Sequence, residues 1–374
     1  MQKFKILHII KSLGRGGAET LLPETLKLHN CEKFEFHYIY FLPWKNQMVE
    51  AIENEGGHVT CISATNNFKL LQHYPAVISY CKKHSINLIH CHLPWSGFLG
   101  RIVFSKTKIP LIYTEHNIQE RYHILTKLLN KLTFNKQSIA LGVSKDVTRS
   151  IKENISPSIP FQTLLNGVNT QKFKRDIVKG NSIRDKFKIP TDAIVIGNIA
   201  VFREQKSIPD WLHAFKIISD SADNIFGILV GAGPLEEEIK TLVKNLDLEK
   251  KVFLPGLQTD TVSYFSAMDI FMMSSAFEGL PIALLEAMSM NCAIVATKAG
   301  GVVEVIRENE DGILCEVGNI KELSNGALRL IHISEDRRNF QEAARLRVET
   351  EFSLENMVEK LEECYLEVIN EVTQ

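Results

Sequence analysis

The chain has 374 residues, of which 45% are hydrophobic and 23% are charged, so it is long enough for two domains with buried cores. Its formal net charge of -1 argues against a nucleic-acid-binding protein, and an anionic ligand would have to be met by local basic groups. Seven cysteines without a Cys-x-x-Cys pair indicate neither a disulfide framework nor a zinc cage, and no apolar run reaches the roughly 18 residues of a membrane span. We therefore expect a cytoplasmic protein in a reducing compartment.

Short apolar runs alternate with helical patterns through the first half of the chain, which is typical of a parallel sheet wrapped by helices. The predicted strands are Phe4–Ile10, Phe36–Leu42, Val59–Ile62, Leu88–Cys91, Leu111–Tyr113 and Ile139–Val143.

The first strand runs into Gly14-Arg15-Gly16-Gly17-Ala18-Glu19, where Gly16 and Gly17 would let backbone approach a ligand at the start of the next helix. The third glycine of the dinucleotide fingerprint is missing, so a nicotinamide site is not predicted. Pro23 falls inside the following helix, which should be kinked there or begin late.

Histidines follow two later strands, in His90-Cys91-His92 and in Thr114-Glu115-His116-Asn117. Both segments lie where a doubly wound sheet places ligands, beyond the carboxyl ends of its strands. We expect His90 and His92 to point away from each other and to be structural, whereas His116 is a candidate for the site.

The segment 121–136 is basic and amphipathic, with leucines at 125, 128, 129 and 132 on one helical face and Lys127 and Lys131 one turn apart. It could be an ordinary surface helix packed on the sheet or an interfacial helix attracted to anionic lipid. Both alternatives stay open.

The charged stretch Gln171 to Lys186 predicts an interdomain connection, after which the alternation of strands and helices restarts. The predicted strands of a second doubly wound domain are Ala193–Ala200, Ile225–Val230, Val252–Leu254, Ile270–Met273, Ala293–Ala296 and Ile313–Cys315. The predicted divisions are residues 1–172, 173–352 and a final helical segment, 353–374.

Basic and glycine-rich loops follow the strands of this second domain. Arg203 and Lys206 come after its first strand and can neutralise a diphosphate, while Gly231-Ala232-Gly233 comes after its second. The sequence contains no Asp-x-Asp to hold a divalent metal, so no metal or other cofactor is predicted.

The segment Ser274-Ser275-Ala276-Phe277-Glu278-Gly279-Leu280-Pro281 follows a buried strand and leads into a helix whose first turn should carry Pro281. Glu278 lies in the turn and Glu286 two turns into the helix. Carboxylates suit the hydroxyl groups of a sugar, and a helix start attracts phosphate.

Glu-Gly-Leu-Pro with a second Glu eight positions after the first resembles the signature of retaining glycosyltransferases of the GT-B fold, specifically family 4. Gly-Gly-Ala-Glu and Thr-Glu-His-Asn resemble two further motifs of that family, so the similarity covers nearly the whole chain. It implies two Rossmann-like domains facing a central cleft, with the acceptor side first, the nucleotide-sugar side second, and a C-terminal helix crossing back to the first domain.

The resemblance also implies the roles of individual residues. Glu286 would bind the ribose hydroxyls, Glu278 with the backbone of Phe277, Gly279, Leu280 and Pro281 the donor sugar, Arg203 and Lys206 the diphosphate, and His116 the transferred sugar. Gly16, Gly17, Gly231 and Gly233 would contact the donor through their backbone. In much of the family an arginine stands at the position of Val201, so we expect Arg203 to supply that charge. Asn291 and Ala293 stand where the family usually has Gly and Pro.

The implied activity is transfer of a sugar from a UDP-sugar rather than a GDP-sugar to a saccharide or lipid-linked acceptor. Such transfer serves surface polysaccharide or glycoconjugate biosynthesis, and the enzyme could be peripheral on the inner face of the membrane. A sugar-nucleotide epimerase and an inactive nucleotide-sugar-binding protein of the same fold are the alternatives.

Overall fold

The computed structural model describes residues 3–373, without the side chains of residues 372 and 373. The chain forms two compact units, one made of Met1–Asn166 with Leu354–Gln374 and the other of Gly167–Ser353. The boundaries predicted from the sequence lie after residues 172 and 352. Within the described residues, no helix is long and apolar enough to cross a membrane.

The first unit alternates strands and helices. Its elements are β1 (Phe4–Ile9), α1 (Gly17–Leu26), β2 (Phe34–Tyr40), α2 (Val49–Asn54), β3 (His58–Cys61), α3 (Asn67–Gln72), α4 (Tyr74–His84), β4 (Leu88–His92), α5 (Pro94–Thr107), β5 (Leu111–Glu115), α6 (Ile124–Thr133), β6 (Ile139–Gly142), α7 (Lys145–Ile155) and β7 (Phe161–Thr163). The sheet is parallel, in the order β3-β2-β1-β4-β5-β6-β7. The sequence did not predict β7, a three-residue edge strand that is not fully buried.

The second unit repeats this architecture. Its elements are α8 (Ile177–Lys186), β8 (Ile194–Ile199), α9 (Ile208–Ser221), β9 (Ile225–Val230), α10 (Glu236–Asn245), β10 (Val252–Gly256), α11 (Thr261–Ala267), β11 (Ile270–Met273), α12 (Ile282–Ser289), β12 (Ala293–Thr297), α13 (Val302–Val305), β13 (Ile313–Cys315), α14 (Ile320–His332) and α15 (Ser334–Glu351). The parallel order is β10-β9-β8-β11-β12-β13.

The last helix, α16 (Leu354–Thr373), belongs to the first unit. Its Leu361, Cys364, Tyr365, Val368 and Ile369 lie in the core that covers one face of the first sheet. The predicted return of the C-terminal helix to the first domain is therefore confirmed.

In both sheets the strand order reverses beside the first strand, between β1 and β4 and between β8 and β11. Ligands of such sheets bind at these switch points, outside the carboxyl ends of the strands. The second switch point is built firmly: Asn198 Nδ2 and Trp211 Nε1 both donate to the carbonyl oxygen of Met272, at 2.8 and 2.9 Å. These buried bonds fix the end of β11 just before the Ser274–Pro281 loop.

Two local predictions are revised, and a departure from the family pattern is explained. Helix α1 begins at Gly17, six residues before Pro23, so the proline does not delay it. Pro281 is the N-cap of α12 rather than a residue of its first turn. Asn291, which replaces the usual glycine, has φ +55° directly after α12 and so adopts the left-handed conformation that glycine favours there.

Candidate active site

Two loops of the second unit are held together by main-chain and serine contacts. The backbone N–H of Ala276 donates to the carbonyl oxygen of Gln205 at 2.8 Å, and Ser274 Oγ lies 3.0 and 2.9 Å from the carbonyl oxygens of Lys206 and Ser207. The turn after β8 and the loop after β11 are therefore joined by three hydrogen bonds.

These hydrogen bonds between the two loops bring Lys206 and Glu278 into contact. Lys206 Nζ lies 2.5 Å from Glu278 Oε1, and Ser275 Oγ donates to the same oxygen at 2.6 Å. Gln205 Nε2 lies 3.3 Å from Glu278 Oε2 and 3.0 Å from the carbonyl oxygen of Phe277. The Glu278 carboxylate is thus buried and anchored. Its charge-assisted bonds also hold the Lys206 ammonium in one place.

Lys206 keeps 23% of its side chain exposed, and Arg203 is exposed directly before the same turn, Glu204–Lys206. The carbonyl oxygen of Arg203 accepts from the Lys206 backbone N–H at 2.9 Å, but among the described residues its guanidinium has no hydrogen-bond or ion-pair partner and can meet a ligand. Val201, at the position of the family's arginine, is half-buried and apolar. The two cations therefore lie on one short turn, with only Lys206 fixed by the protein.

The close approach of the loops after β8 and β9 requires glycine at positions 231 and 233. A side chain at Gly231, whose φ is +144°, would meet the carbonyl oxygen of Ala200 at 1.8 Å, and one at Gly233 would meet that of Phe202 at 2.5 Å. The Phe202 N–H donates to the Ala232 carbonyl oxygen at 3.1 Å, so the loops after β8 and β9 pair closely. The glycines thereby support the turn that carries Arg203 and Lys206.

Gly279, Leu280 and Pro281 lead into α12 and are buried, whereas Phe277 is half-buried. Helix α12 has no side-chain N-cap, so the N–H groups of its first turn are not capped by a side chain. Glu286 lies in the middle of this helix and is half-buried.

The glycine loop of the first unit is also shaped by a glutamate. Ser12 Oγ donates to Glu19 Oε1 at 2.9 Å, and a side chain at Gly16 would meet Glu19 Oε2 at 2.3 Å. Gly16 is the N-cap of α1 and Gly17 its first residue. The glycine therefore leaves room for a carboxylate that ties the end of β1 to α1.

His116 stands at the end of a chain of buried polar groups. Its Nε2 lies 3.4 Å from His92 Nδ1, His92 Nε2 lies 3.0 Å from His8 Nδ1, and His8 Nε2 lies 3.5 Å from the Tyr365 hydroxyl. That hydroxyl is also 2.8 Å from His90 Nδ1. Burial lowers the pKa of His116 to about 4, so the ring is neutral near pH 7. A neutral imidazole can donate through one nitrogen and accept through the other.

The expectation that His90 and His92 point apart is wrong. Residues two apart in a strand face the same side of the sheet, and the two rings lie with their centroids 4.2 Å apart. His8 lies opposite His90 in the register of β1 and β4, which completes the cluster. Sequence reasoning missed His8 and Tyr365, and the single histidine within the apolar run Ile6 to Ile10 was the available signal for His8.

Sequence reasoning also missed Glu115. This buried carboxylate accepts hydrogen bonds from the hydroxyls of Tyr113 and Tyr122 and from Gln119 Nε2, and the backbone N–H of His116 donates to it at 3.0 Å. It fixes the turn that presents His116. Its place beside the histidine in the sequence gave no sign of this role, because the partners come from two different elements.

Helix α6 buries polar side chains and exposes apolar ones, which is the reverse of an amphipathic helix packed on a core. The exposed side chains include Ile124, Leu128 and Leu132, at 80%, 53% and 69% of their area, whereas Asn130 is buried. Arg101 Nη1 donates to Asn130 Oδ1 and to Thr133 Oγ1, both at 2.9 Å. Leu129 of the predicted apolar face is half-buried, but Ile124, Leu128 and Leu132 point outwards, so most of that face is not packed on the sheet.

Two family models match this chain. The model for glycosyl transferases group 1 matches residues 180–347, and that for glycosyltransferase family 4 matches residues 16–172. The amylovoran biosynthesis glycosyltransferase AmsK of Erwinia amylovora is 30% identical over 75% of this chain and 70% of its own length. The chain belongs to this glycosyltransferase family. It is accordingly an enzyme of the hexosyltransferase type (EC 2.4).

Two other similarities cover almost the complete chain. The UDP-Gal:alpha-D-GlcNAc-diphosphoundecaprenol alpha-1,3-galactosyltransferase of Escherichia coli is 22% identical over 98% of both chains. The crystal structure of Anabaena Alr3699/HepE in complex with UDP and glucose has a TM-score of 0.88 at 20% identity, covering 97% of this chain and all of that one. The fold of this glycosyltransferase is therefore GT-B.

Proposed function

We propose that this glycosyltransferase moves a sugar, with retention of configuration, from a UDP-sugar to a saccharide or lipid-linked acceptor in surface polysaccharide or glycoconjugate biosynthesis. The observation that carries the proposal is the Lys206–Glu278 pair, fixed by Ser275 and Gln205 beyond the carboxyl ends of β8 and β11. The UDP complex of HepE and the UDP-galactose donor named for the Escherichia coli relative favour a UDP-sugar over a GDP-sugar.

In this proposal, the Lys206 ammonium stabilises the charge that develops on the diphosphate as the glycosidic bond breaks. A preorganised donor in a partly buried site is worth more than the same group in water. Arg203 adds a second positive charge from the same turn. Glu278 keeps Lys206 in place and accepts a hydrogen bond from a hydroxyl of the donor sugar, while Glu286 accepts hydrogen bonds from the ribose hydroxyls.

His116 binds a hydroxyl of the transferred sugar as a neutral ring. The departing phosphate oxygen takes the acceptor proton, so no protein nucleophile is assigned. This front-face course of substitution is the one that the family resemblance implies, and it accounts for retention. The turn residues Phe277 to Pro281 and the start of α12 supply backbone groups for the sugar and phosphate.

We further propose that α6 binds an anionic lipid surface. Three exposed apolar side chains, Ile124, Leu128 and Leu132, are spaced four residues apart on one stripe, with Lys127 and Lys131 beside it. Such a helix lies in the interface with its apolar face among the acyl chains and its lysines near phosphate groups. This contact would place the enzyme near a lipid-linked acceptor.

The test of the activity is incubation with a panel of UDP- and GDP-sugars, with detection of free nucleoside diphosphate and of altered donor. Release of UDP, with acceptor present, together with a product that keeps the donor's anomeric configuration by NMR, is expected. Activity should persist in EDTA, since cations of the protein replace a metal at the diphosphate. An epimerised donor without released UDP identifies an epimerase, and binding without any conversion identifies an inactive protein.

A further inference from the structure

A second cluster of ionisable groups lies on the other face of the first sheet, at its edge. Glu35 and His37 are two residues apart on β2 and so face the same side, and His37 lies opposite His58 of the edge strand β3. Side chains of α4 cover this face, among them Tyr80 and His84.

The donor atoms of three of these residues converge. His37 Nε2 lies 2.9 Å from Glu35 Oε1, His58 Nε2 lies 3.9 Å from the same oxygen, and all three donor atoms fall within 4.8 Å of one another. Ligands of a tetrahedral zinc ion, bound at about 2.0–2.1 Å, lie about 3.3 Å apart. Small rotations of the side chains would therefore bring the three atoms to a common metal ion.

The surroundings supply what a metal site needs beyond its ligands. The other ring nitrogen of His37, Nδ1, lies 3.0 Å from the Tyr80 hydroxyl, an outer contact that fixes the ring as second-layer partners of metal-bound histidines do. A surface pocket of about 600 Å³ opens over the cluster, so an ion and its water ligands can enter. His58 is exposed at the pocket, and the His84 ring lies 5.2 Å from that of His37.

We propose that Glu35, His37 and His58 bind a divalent transition-metal ion of the zinc type, which links β2 to the edge strand β3. Two imidazole nitrogens and one carboxylate oxygen form a common zinc ligand set, and water or His84 would complete the coordination. Lys5 Nζ, 3.2 Å from Glu35 Oε1, is the cation that the metal would displace.

The buried cluster of His8, His90 and His92 is a weaker candidate, although its donor atoms also converge. Its ring nitrogens are already engaged with one another, with Tyr365 and with Thr114, and all three rings are at most 7% exposed. None of the three ligands carries a negative charge, so a dication there would be buried without compensation.

The proposed metal site is separate from the glycosyl-transfer chemistry. Glu35 and His58 lie at the amino ends of β2 and β3, whereas Gly16 and His116 follow the carboxyl ends of β1 and β5. Bound metal would stabilise the edge of the first unit without taking part in catalysis. The site can therefore be tested without any sugar donor.

The experiment is a calorimetric titration of zinc chloride into the full-length protein after treatment with a chelator and dialysis. The exposed thiols of Cys31 and Cys61 are first replaced by serine, so that they do not compete for zinc. We expect one equivalent to bind and to raise the thermal midpoint. Glu35→Gln and His58→Ala should each weaken this binding at least about 10-fold, and Tyr80→Phe about 10-fold through loss of the outer contact.

His213→Ala, which removes an exposed histidine of the second unit, is the matched control and should bind as the parent does. Lys5→Met should strengthen binding, because it removes the competing cation. His58 is well exposed, so its substitution leaves the fold intact, as circular dichroism would verify. Zinc binding that is equal in the parent, Glu35→Gln and His58→Ala overturns the proposal, as does binding lost only in His92→Gln.

Discussion

Glu278 and Glu286 are eight residues apart, but their surroundings differ. Glu278 is buried against Lys206, whereas Glu286 lies half-buried in the middle of α12. We expect Glu278→Gln to lower kcat more than donor affinity. The substitution removes the charge that positions the Lys206 ammonium, which stabilises the leaving phosphate. Glu286→Gln should mainly raise KM for the donor. Steady-state kinetics check both, and a rise in KM with unchanged kcat for both variants would contradict the role of Glu278.

Lys206 and Arg203 share one turn and differ in how firmly they are held. We expect Lys206→Ala to lower kcat about 100-fold, the usual loss for one transition-state donor. The variant also leaves the buried Glu278 carboxylate without its cation. Arg203→Ala should reduce turnover as well, because in the proposed function its exposed guanidinium adds a second positive charge at the diphosphate.

The control for this pair is Lys216→Ala, which removes an ordinary surface lysine paired with Asp220 on α9 and should leave turnover unchanged. The same donor assay serves all three variants. Wild-type turnover and donor affinity in Arg203→Ala would show that the second charge comes from another residue.

At the scale of elements, α6 shows how a helix can be attached by its polar side. Arg101, itself buried, reaches Asn130 and Thr133, and its guanidinium lies 4.8 Å from the Tyr113 ring centroid. Leu128 and Leu132 on the other side remain exposed. We expect Lys127→Glu with Lys131→Glu to abolish co-sedimentation with phosphatidylglycerol-containing vesicles at low salt, since the attraction is electrostatic and screened by salt.

Two controls separate this effect from a general change of charge. Lys82→Glu with Lys83→Glu makes the same change on the exposed side of α4 and should leave vesicle binding intact. Leu128→Ser with Leu132→Ser should weaken binding even though the charge is unchanged. Nucleotide binding should survive in every variant, and wild-type protein that ignores anionic vesicles would refute the proposal.

At the scale of the whole molecule, the buried histidines should make stability depend on pH. Burial lowers the pKa of His8 and His92 well below the ordinary value of 6.5 and that of His90 to about 3. Below pH 6.5 these histidines bind protons in the unfolded chain but not in the folded one. Their contribution to the free energy of unfolding is therefore present above pH 6.5 and is lost as the pH falls below it. For His90 alone, this difference costs about 2 kcal/mol of unfolding free energy between pH 7 and pH 5.

Urea unfolding at pH 7 and pH 5, followed by circular dichroism, measures this loss. Glu115 acts in the opposite direction because burial raises its pKa, so the parent slope alone does not isolate the histidines. His90→Gln should reduce the loss on acidification by about 2 kcal/mol relative to the parent, whatever its effect at pH 7. An equal loss in both proteins would contradict the assignment of a buried, neutral His90.

The sequence by itself determined the two parallel sheets, since apolar runs with helical patterns between them specify strands, and parallel strands need crossovers. It also placed the glycine loops and the Glu-Gly-Leu-Pro turn at strand ends. It missed β7, because three residues, Phe161–Thr163, of which two are half-buried and one is exposed, leave no periodic signal.

Contacts between distant residues were decided only by the tertiary structure. Lys206 and Glu278 are 72 positions apart and His90 and Tyr365 are 275 apart, so nothing local in the sequence records that they touch. The sequence also could not show which side of α6 is buried, for a related reason. Periodicity shows which residues share a helical face, but the burial of that face depends on what the rest of the chain places beside it, and here Arg101 binds the polar side.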